Sequence, residues 1–478
     1  MAAPSPLHVV IFPYMAQGHT IPLMDISKAF ASRGLKVTVI TTPSNAPFIV
    51  SQTSNHPNIS SAIIPFPRVE ELPDGCENTA DLPSMALWVP FLEATKKMKQ
   101  SFERVLRDMI DDGRPPICVI SDFLLGWTLD SCRLFGIPRI VSHGMGVFSM
   151  SISLYLISFS SCLNGLWGMD PIELPGMTLP FKLQKADIPE GILNSDPDDP
   201  FVRLTSEIGE ADMNSWGVIV NSFEELEGRD HVGRFESFYY NDAKAYCVGP
   251  SLLYNQPGQN LEADHDKSSY IKWLDKQAEM RFGRTVLYVS FGTQAHLSED
   301  QLDEIANGLE MANHPFIWVV RSRTWAAPKG WNERVKQRGL VVRNWVDQRR
   351  ILAHPATGGF LGHCGWNSTL ESLTMGVPLL AWPMIGISEQ ALNAKFVVMG
   401  LGAGLMVPWT GVNGEKIMTV GRDVICDKVK ELMGGENGRM AGERAQAIGR
   451  MARKSVEKGG SSYKKLDELI KRLTAHSH

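Results

Sequence analysis

The chain has 478 residues, enough for two domains of ordinary size, and its 44% hydrophobic and 21% charged residues are those of a folded globular protein, not a disordered one. A formal net charge of −5 lacks the basic surplus of a nucleic-acid-binding protein. Seven widely spread cysteines with no C-x-x-C pair exclude a disulfide framework and suit reduced thiols in the cytoplasm.

Met1 to Leu7 carries neither a charged n-region nor a long apolar h-region, so we read no secretory signal there. Leu7–Phe12 is a continuous apolar run, the pattern of a strand buried on both faces of a parallel sheet. A loop, Pro13–His19, follows. Thr20 reads as the N-cap of the next helix, which takes Pro22 in its first turn and ends near Ser32, before Gly34. Lys36–Thr41 is the second strand. Ser61–Pro65, Ile117–Ser121, Arg139–Ser142 and Gly217–Val220 continue the series, with helical patterns between them. From Ile140 to Met169 there is no Asp, Glu, Lys or Arg, but seven serines and four glycines dilute the apolar residues. That stretch reads as a buried helix behind an apolar pocket and not as an integral membrane span.

The pattern breaks near Gly249-Pro250, and the polar, Gly-containing stretch Asn255–Asp266 reads as a linker. Alternation restarts at Thr285–Ser290 and runs through Phe316–Val320, Leu340–Arg343, Gly359–Leu361 and Pro378–Ala381. From Ser461 the tail is an amphipathic helix. The class is therefore α/β, with two Rossmann-like doubly wound domains facing each other across a cleft. Boundaries are expected at 1–250 for the first domain, 251–266 for the linker, 267–458 for the second domain and 459–478 for the terminal helix.

Residues 345–390 are the most informative stretch. The strand Gly359–Leu361 ends in Gly362-His363-Cys364-Gly365, and a helix starts at Trp366-Asn367-Ser368-Thr369 and carries Glu371. Backbone N–H groups, a helix dipole and a His then meet just beyond a strand end, a place suited to a diphosphate. Trp345 can stack on a base, and Gln348 and Glu371 can bond a ribose.

This stretch closely resembles the donor-binding signature of plant UDP-dependent glycosyltransferases, family 1 enzymes with the two-domain GT-B fold. The matching positions run from Trp345 through His354, Gly358, His363, Cys364, Gly365, Trp366, Asn367, Ser368, Glu371, Gly376, Val377, Pro378 and Pro383 to Gln390. The resemblance implies that Trp345, Val346, Gln348, His363, Gly365, Trp366, Asn367, Ser368 and Glu371 bind a UDP-sugar. Thr293, in S-F-G-T after the first strand of the second domain, joins them on the phosphates. It also implies that the tail helix returns to the first domain, and that no cofactor or metal is needed beyond the donor substrate, here UDP-glucose. Glu389 and Gln390 close the signature on the sugar hydroxyls, and the final Gln favours glucose within the family. Three departures stand out. Five residues, Met384 to Ser388, separate Pro383 from Glu389 where three are usual; Asp347 stands where Pro is common, and Gly362 where Thr or Ser is common.

Transfer of a sugar to a hydroxyl needs a base near neutral pH, most often His. His19 lies between a buried strand and a helix start, on the crest where open α/β sheets bind ligands. A helix N-terminus disfavours imidazolium and keeps the ring ready to accept a proton. A carboxylate must then hold its tautomer, and Asp122, at the end of Ile117–Ser121, fits. The family uses this His and this Asp as its catalytic pair. The acceptor side is less specified. Trp88, Phe91, Leu92 and Phe148 can line an apolar pocket for a flat phenolic such as a flavonoid. The same base serves attack through oxygen or carbon, so O-linked and C-linked products both stay open.

Asp196-Pro197-Asp198 matches D-x-D, but in a loop, so no metal site is read there. Gly400–Gly404 imitates a dinucleotide fingerprint with its third Gly misplaced and reads as a compact loop. Sequons occur at Asn58 and Asn367, and a glycan on the second would block the donor signature, which also favours the cytoplasm. The expected protein is a monomeric, inverting UDP-glucose-dependent hexosyltransferase of plant secondary metabolism. The alternatives are a nucleotide-sugar-binding protein that has lost catalysis and a nicotinamide-dependent oxidoreductase, which intact His19 and Asp122 and the missing G-x-G-x-x-G respectively disfavour.

Overall fold

The computed structural model describes residues 6–158, 171–193, 196, 198–254, 268–280, 283–292, 297–322, 324–384, 388–408 and 419–476. Its contacts divide the chain into two units, one of residues 1–151, 194–255 and 454–478 and the other of residues 152–193 and 256–453.

The first unit is built on β1 (His8–Phe12), β2 (Lys36–Thr41), β3 (Ile59–Ile63), β4 (Cys118–Asp122), β5 (Arg139–His143), β6 (Gly217–Val220) and β7 (Lys244–Cys247). They form one sheet in the order β3-β2-β1-β4-β5-β6-β7, and every pairing is parallel. The apolar run of β1 follows from its central place. Val9 and Ile11 pack into one core layer, Val10 and Phe12 into the other, and all four are fully buried. Burial of each such side chain contributes about 1.5–3 kcal/mol.

The second unit repeats the plan with β8 (Val286–Ser290), β9 (Phe316–Val319), β10 (Gly339–Val342), β11 (Thr357–Gly362), β12 (Leu379–Ala381) and β13 (Gly404–Met406) in the order β10-β9-β8-β11-β12-β13, again parallel. Each sheet reverses its strand order once, between β1 and β4 and between β8 and β11. A parallel sheet places its ligands at such a reversal, beyond the carboxyl ends of the strands.

Several expectations need correction. The first helix is Gln17–Ala31 with Ala16 as its cap, not Thr20. The N–H groups of His19 and Thr20 both donate to the Ala16 carbonyl, and Thr20 Oγ1 donates instead to the Tyr14 carbonyl at 3.2 Å. Pro22 consequently falls inside the helix. β3 begins at Ile59, where its register with Val37 starts, and the short edge strands β7 and β13 had no apolar run to announce them.

The first domain does not run unbroken to residue 250, since residues 152–193 group with the second unit. One cause is a buried ion pair. Lys395 Nζ donates to Asp187 Oδ2 at 2.5 Å and to the Lys182 carbonyl at 3.0 Å, and separating the pair would strand an uncompensated charge. Nor are residues 251–254 linker. Ser251–Tyr254 is a helical turn of the first unit, held by the Ser251 N–H on Asn221 Oδ1 and by the Tyr254 hydroxyl on the Val248 carbonyl. The remainder of the expected linker, 255–266, lies outside the described residues. Among the described residues no helix is long and apolar enough to cross a membrane; the uncharged stretch contains the helix Val147–Ser158.

The last helix, Ser461–His476, packs in the first unit. Leu466, Leu469 and Leu473 are fully buried in the core layer that holds Val9 and Ile11, and Arg33 Nε binds Asp467 at 2.7 Å. Leu469→Ala is therefore expected to destabilise this unit by about 2–5 kcal/mol. Urea unfolding followed by tryptophan fluorescence reads this, and an unchanged midpoint would show the tail to be dispensable.

Candidate active site

At the reversal between β1 and β4, two residues meet. His19 stands in the first turn of Gln17–Ala31, and Asp122 ends β4. Their side chains meet at 2.8 Å, His19 Nδ1 to Asp122 Oδ2, with His19 23% exposed and Asp122 2%. The contact fixes the tautomer: Nδ1 carries the proton, so the lone pair is on Nε2. The second carboxylate oxygen accepts the Leu124 N–H at 3.0 Å, which locks the rotamer of Asp122. Phe123 stacks beside His19 at 6.1 Å, the ring of Tyr14 stands edge-on at 5.4 Å, and a Cβ added to Gly144 would lie 3.6 Å from the imidazole. These three neighbours went unnoticed in the sequence. Tyr14 and Phe123 flank motif residues and were the legible ones.

Of the expected acceptor residues, Phe91, Leu92 and Phe148 are fully buried, Phe91 and Leu92 in the core layer of Val10 and Phe12. Only Trp88 is partly exposed, its ring 5.8 Å from Phe201. The helix Trp88–Lys96 turns Phe91 and Leu92 inward with its apolar side, and Phe148 is buried in the helix Val147–Ser158. Asp196 and Asp198 make a turn, with the Asp198 N–H on Asp196 Oδ1, and Asp199 caps the helix Pro200–Met213; this accounts for the acidic run.

The reversal between β8 and β11 gathers the signature. The helix Trp366–Thr374 begins directly after Gly362-His363-Cys364-Gly365, and its first-turn N–H groups, Trp366, Asn367 and Ser368, have no acceptor within the helix. His363 is wedged between glycines. A Cβ at Gly292 would lie 2.9 Å from its ring and one at Gly365 2.6 Å from Nε2. Its Nδ1 has no hydrogen-bond partner among the described residues. Burial pushes the imidazole down to about 4, so before any ligand arrives it is neutral at pH 7 and offers a hydrogen bond, not the positive charge that a His at this point suggests. Cys364 takes φ +65°, a conformation rare for any residue but glycine. Its carbonyl accepts Asn393 Nδ2 at 3.0 Å, and burial pushes its thiol up, so it is inert packing.

Gln348 opens the helix Gln348–Ala353. Its Oε1 accepts the Tyr288 hydroxyl at 3.2 Å, and its Nε2 donates to Ser368 Oγ at 3.1 Å and Glu371 Oε2 at 2.8 Å. Arg349 Nε takes Glu371 Oε1 at 2.7 Å, a pairing the motif did not disclose. The departures from the signature acquire reasons here. Asp347 caps the Gln348 helix through the Arg350 N–H, and its own N–H donates to the Tyr270 hydroxyl, which a proline could not do. Burial raises the Asp347 carboxyl above its ordinary value. Gly362 is required because a Cβ there would lie 2.6 Å from the Phe360 ring, itself stacked on Tyr288 at 5.2 Å.

Trp345 is 51% exposed, a ring face held in solvent, while Val346 beside it is buried. Glu389 occupies the position before the helix Gln390–Lys395 and its carboxylate accepts Asn393 Nδ2 at 3.1 Å; the Gln390 amide oxygen accepts the Met384 N–H at 2.9 Å. Thr293 and residues 385–387 of the longer spacing lie outside the described residues.

Residues 272–433, which contain this second cluster, match the family described as UDP-glucoronosyl and UDP-glucosyl transferase. UDP-glycosyltransferase 90A1 of Arabidopsis thaliana is 39% identical over 98% of this chain and 96% of its own. Among solved structures, Glycyrrhiza uralensis UGT73P12 complexed with glycyrrhetinic acid 3-O-monoglucuronide is 30% identical with a TM-score of 0.86, covering 99% of this chain and 96% of that one. Phytolacca americana UGT2 complexed with UDP-2fluoro-glucose and pterostilbene is 29% identical with a TM-score of 0.80, covering 98% and 100%. With a histidine–aspartate pair at one sheet reversal and the signature residues at the other, the chain belongs to the plant family 1 UDP-glycosyltransferases, enzymes of the GT-B fold.

Proposed function

We propose that this enzyme is an inverting UDP-glucosyltransferase for a phenolic plant metabolite, with His19 as its base. The 2.8 Å contact between His19 and the buried Asp122 carries the reading, since it supplies a base with a fixed tautomer and a partner for the cation it becomes. His19 Nε2 takes the acceptor hydroxyl proton as that oxygen bonds to the anomeric carbon. The bond from that carbon to the diphosphate breaks, and its electron pair leaves with UDP. A single displacement of this kind inverts the sugar carbon. The leaving charge falls on the N–H groups that open Trp366–Thr374, on Ser368 and on neutral His363, whose unpartnered Nδ1 suits a hydrogen-bonding ligand. Thr293 is assigned to the same phosphates on its place in the sequence alone.

Trp345 is the base platform, with Val346 next to it in the chain and Trp366 bordering the sugar. Gln348 and Glu371 hold the ribose, and Glu389 and Gln390 the sugar hydroxyls. Gln390, its amide oriented by Met384, supports glucose, as does the fluoro-glucose donor named for the Phytolacca americana structure. The pterostilbene in that complex supports a phenolic acceptor. A bulkier polycyclic acceptor is the second reading, favoured by the glycyrrhetinic acid derivative of the Glycyrrhiza uralensis complex. Free, buried cysteines suit a cytoplasmic setting. We also propose that the chain acts as a monomer and that transfer needs no metal.

A matrix of stilbene, flavonoid and triterpenoid acceptors against UDP-glucose, UDP-galactose and UDP-glucuronic acid, read by mass spectrometry before and after acid hydrolysis, tests sugar, acceptor and linkage together. Transfer of glucose to phenolics is expected, and transfer only to triterpenoids, or only of another sugar, overturns the corresponding part. In parallel, Trp345→Ala is expected to weaken UDP binding by about tenfold or more, the scale of one lost base–aromatic stack. Calorimetry showing equal UDP affinity would remove Trp345 from the site.

A further inference from the structure

Behind the His19–Asp122 pair lies a polar cluster that the reaction as described does not use. Arg139, on β5, is 1% exposed and among the largest fully buried side chains. Its Nε donates to Ser121 Oγ at 2.8 Å and Thr128 Oγ1 at 3.1 Å, its Nη1 to Ser215 Oγ at 2.7 Å and the Ala211 carbonyl at 3.2 Å, and its Nη2 to the Asp122 carbonyl at 3.2 Å. Burial pulls the guanidinium down from its ordinary value, and Asp212, Cys132, Asp122 and Tyr239 act against that fall. Asp212 is engaged elsewhere. Its Oδ2 is 2.8 Å from His143 Nε2, and its Oδ1 accepts the Tyr239 hydroxyl at 2.9 Å. Phe123 lies between the two imidazoles, stacked on His143 at 5.3 Å and on His19 at 6.1 Å.

A wholly buried guanidinium with no carboxylate in direct contact among the described residues is an expensive choice if its only task is to fill space, because an apolar residue could do that without loss of solvation. Its bonds show what it holds. Two of them fall on Ser121 and Asp122, the last residues of β4, and two on Ala211, in the helix Pro200–Met213, and Ser215, just beyond its end. The end of the strand that presents the Asp122 carboxylate is thereby tied to the next layer of the fold. The charges also balance in a telling way. Two carboxylates, Asp122 and Asp212, face one guanidinium, so with both imidazoles neutral the cluster carries one excess negative charge. A proton taken up by His19 cancels it.

We propose that Arg139 is the positioning residue of the His19–Asp122 pair: it fixes the Asp122 backbone and supplies the buried positive charge that sets how readily His19 takes the acceptor proton. This rests on the reading of His19 as base. The groups that face His19 are Asp122 on β4, Tyr14 on the preceding loop with Cys76 close to it, and, across Phe123, the His143–Asp212–Tyr239 set. Arg139 is the cation linked to Asp122 among these groups, so its removal leaves a surplus of negative charge that holds a proton on His19 more tightly.

The test is the pH dependence of kcat/KM for Arg139→Gln, Arg139→Lys and His19→Ala beside the wild type. Arg139→Gln is expected to lower kcat by about tenfold and to move the acid limb up by about half a pH unit or more, the scale of one charge at the edge of a protein interior. Arg139→Lys keeps the charge and loses the fork of hydrogen bonds, so kcat is expected to fall with the acid limb in place. UDP-sugar KM stays unchanged in both. A purely structural role would lower the amount of active enzyme and leave the limb of Arg139→Gln where it was, and that result overturns the proposal. Should both variants fail to fold, Ser215→Ala removes one hold and leaves the charge. A several-fold lower kcat with an unmoved limb supports the proposal, and a wild-type kcat overturns it. If His19→Ala keeps wild-type turnover, the base assignment itself has failed; if His19→Ala is inactive while Arg139→Gln and Arg139→Lys match the wild type, only the role of Arg139 has.

Discussion

His19→Ala is expected to lower turnover by about 10²–10⁴-fold, the usual share of general base catalysis, with the affinity for UDP unchanged. The split follows from where the residue stands. His19 belongs to the first unit and touches Asp122, Tyr14 and Phe123, whereas the nucleotide signature lies in the second unit. Removing the imidazole takes away the proton acceptor and leaves the donor residues intact. Asp122→Asn is expected to follow it, since the amide can donate to Nδ1 and turn the proton onto Nε2, the wrong tautomer for a base. The two variants separate loss of the base from loss of its orientation, because a small acid–base rescue agent such as imidazole can stand in for His19 and cannot restore a tautomer. Wild-type turnover in His19→Ala would remove the imidazole from the mechanism.

How far the sequence carried this reading depended on whether a feature was local. The buried runs Leu7–Phe12 and Thr285–Ser290 announced central strands because both faces of β1 and β8 are covered, and a continuous apolar run is what double burial requires. The signature was legible because its residues are close in the chain: one strand end, one loop and one helix start bring His363, Asn367, Ser368 and Glu371 together. Asp122 could be proposed because it also ends a strand. Contacts between distant segments left no such trace. Nothing in the chain around Arg349 discloses its partner Glu371, and Arg139 reads as the ordinary polar start of a strand until Ser121, Ala211 and Ser215 close around it. The same limit holds for packing. Phe91, Leu92 and Phe148 suit an acceptor pocket by their chemistry, and their burial follows from how their helices pack, which chain order does not disclose. The stretch 152–193 was assigned by chain order, while Lys395, some two hundred residues away in sequence, determines where it is held.

Gly292→Ala is expected to weaken UDP binding by about tenfold or more, and to raise the UDP-sugar KM in step, through a residue that need not touch the ligand itself. Two effects act together. Gly292 has φ +77°, where a side chain costs about 1–2 kcal/mol in backbone strain. The added Cβ would also lie 2.9 Å from the His363 ring. The ring has little room to retreat, because Gly365 already lies close on another side and, among the described residues, Nδ1 has no partner that could guide it to a new position. His363 must turn, and the hydrogen bond proposed for it to the diphosphate would be lost or misdirected; a bond to a charged group is worth about 1.5–3 kcal/mol, which is the tenfold or more expected here. Gly365→Ala separates the two causes, since Gly365 has φ −59°, where a side chain brings no strain, yet its Cβ would lie 2.6 Å from Nε2. If the steric effect dominates, both variants lose UDP affinity by calorimetry, and only Gly292→Ala also loses stability in urea. Equal affinity for UDP in both would show that His363 takes no part in holding the diphosphate.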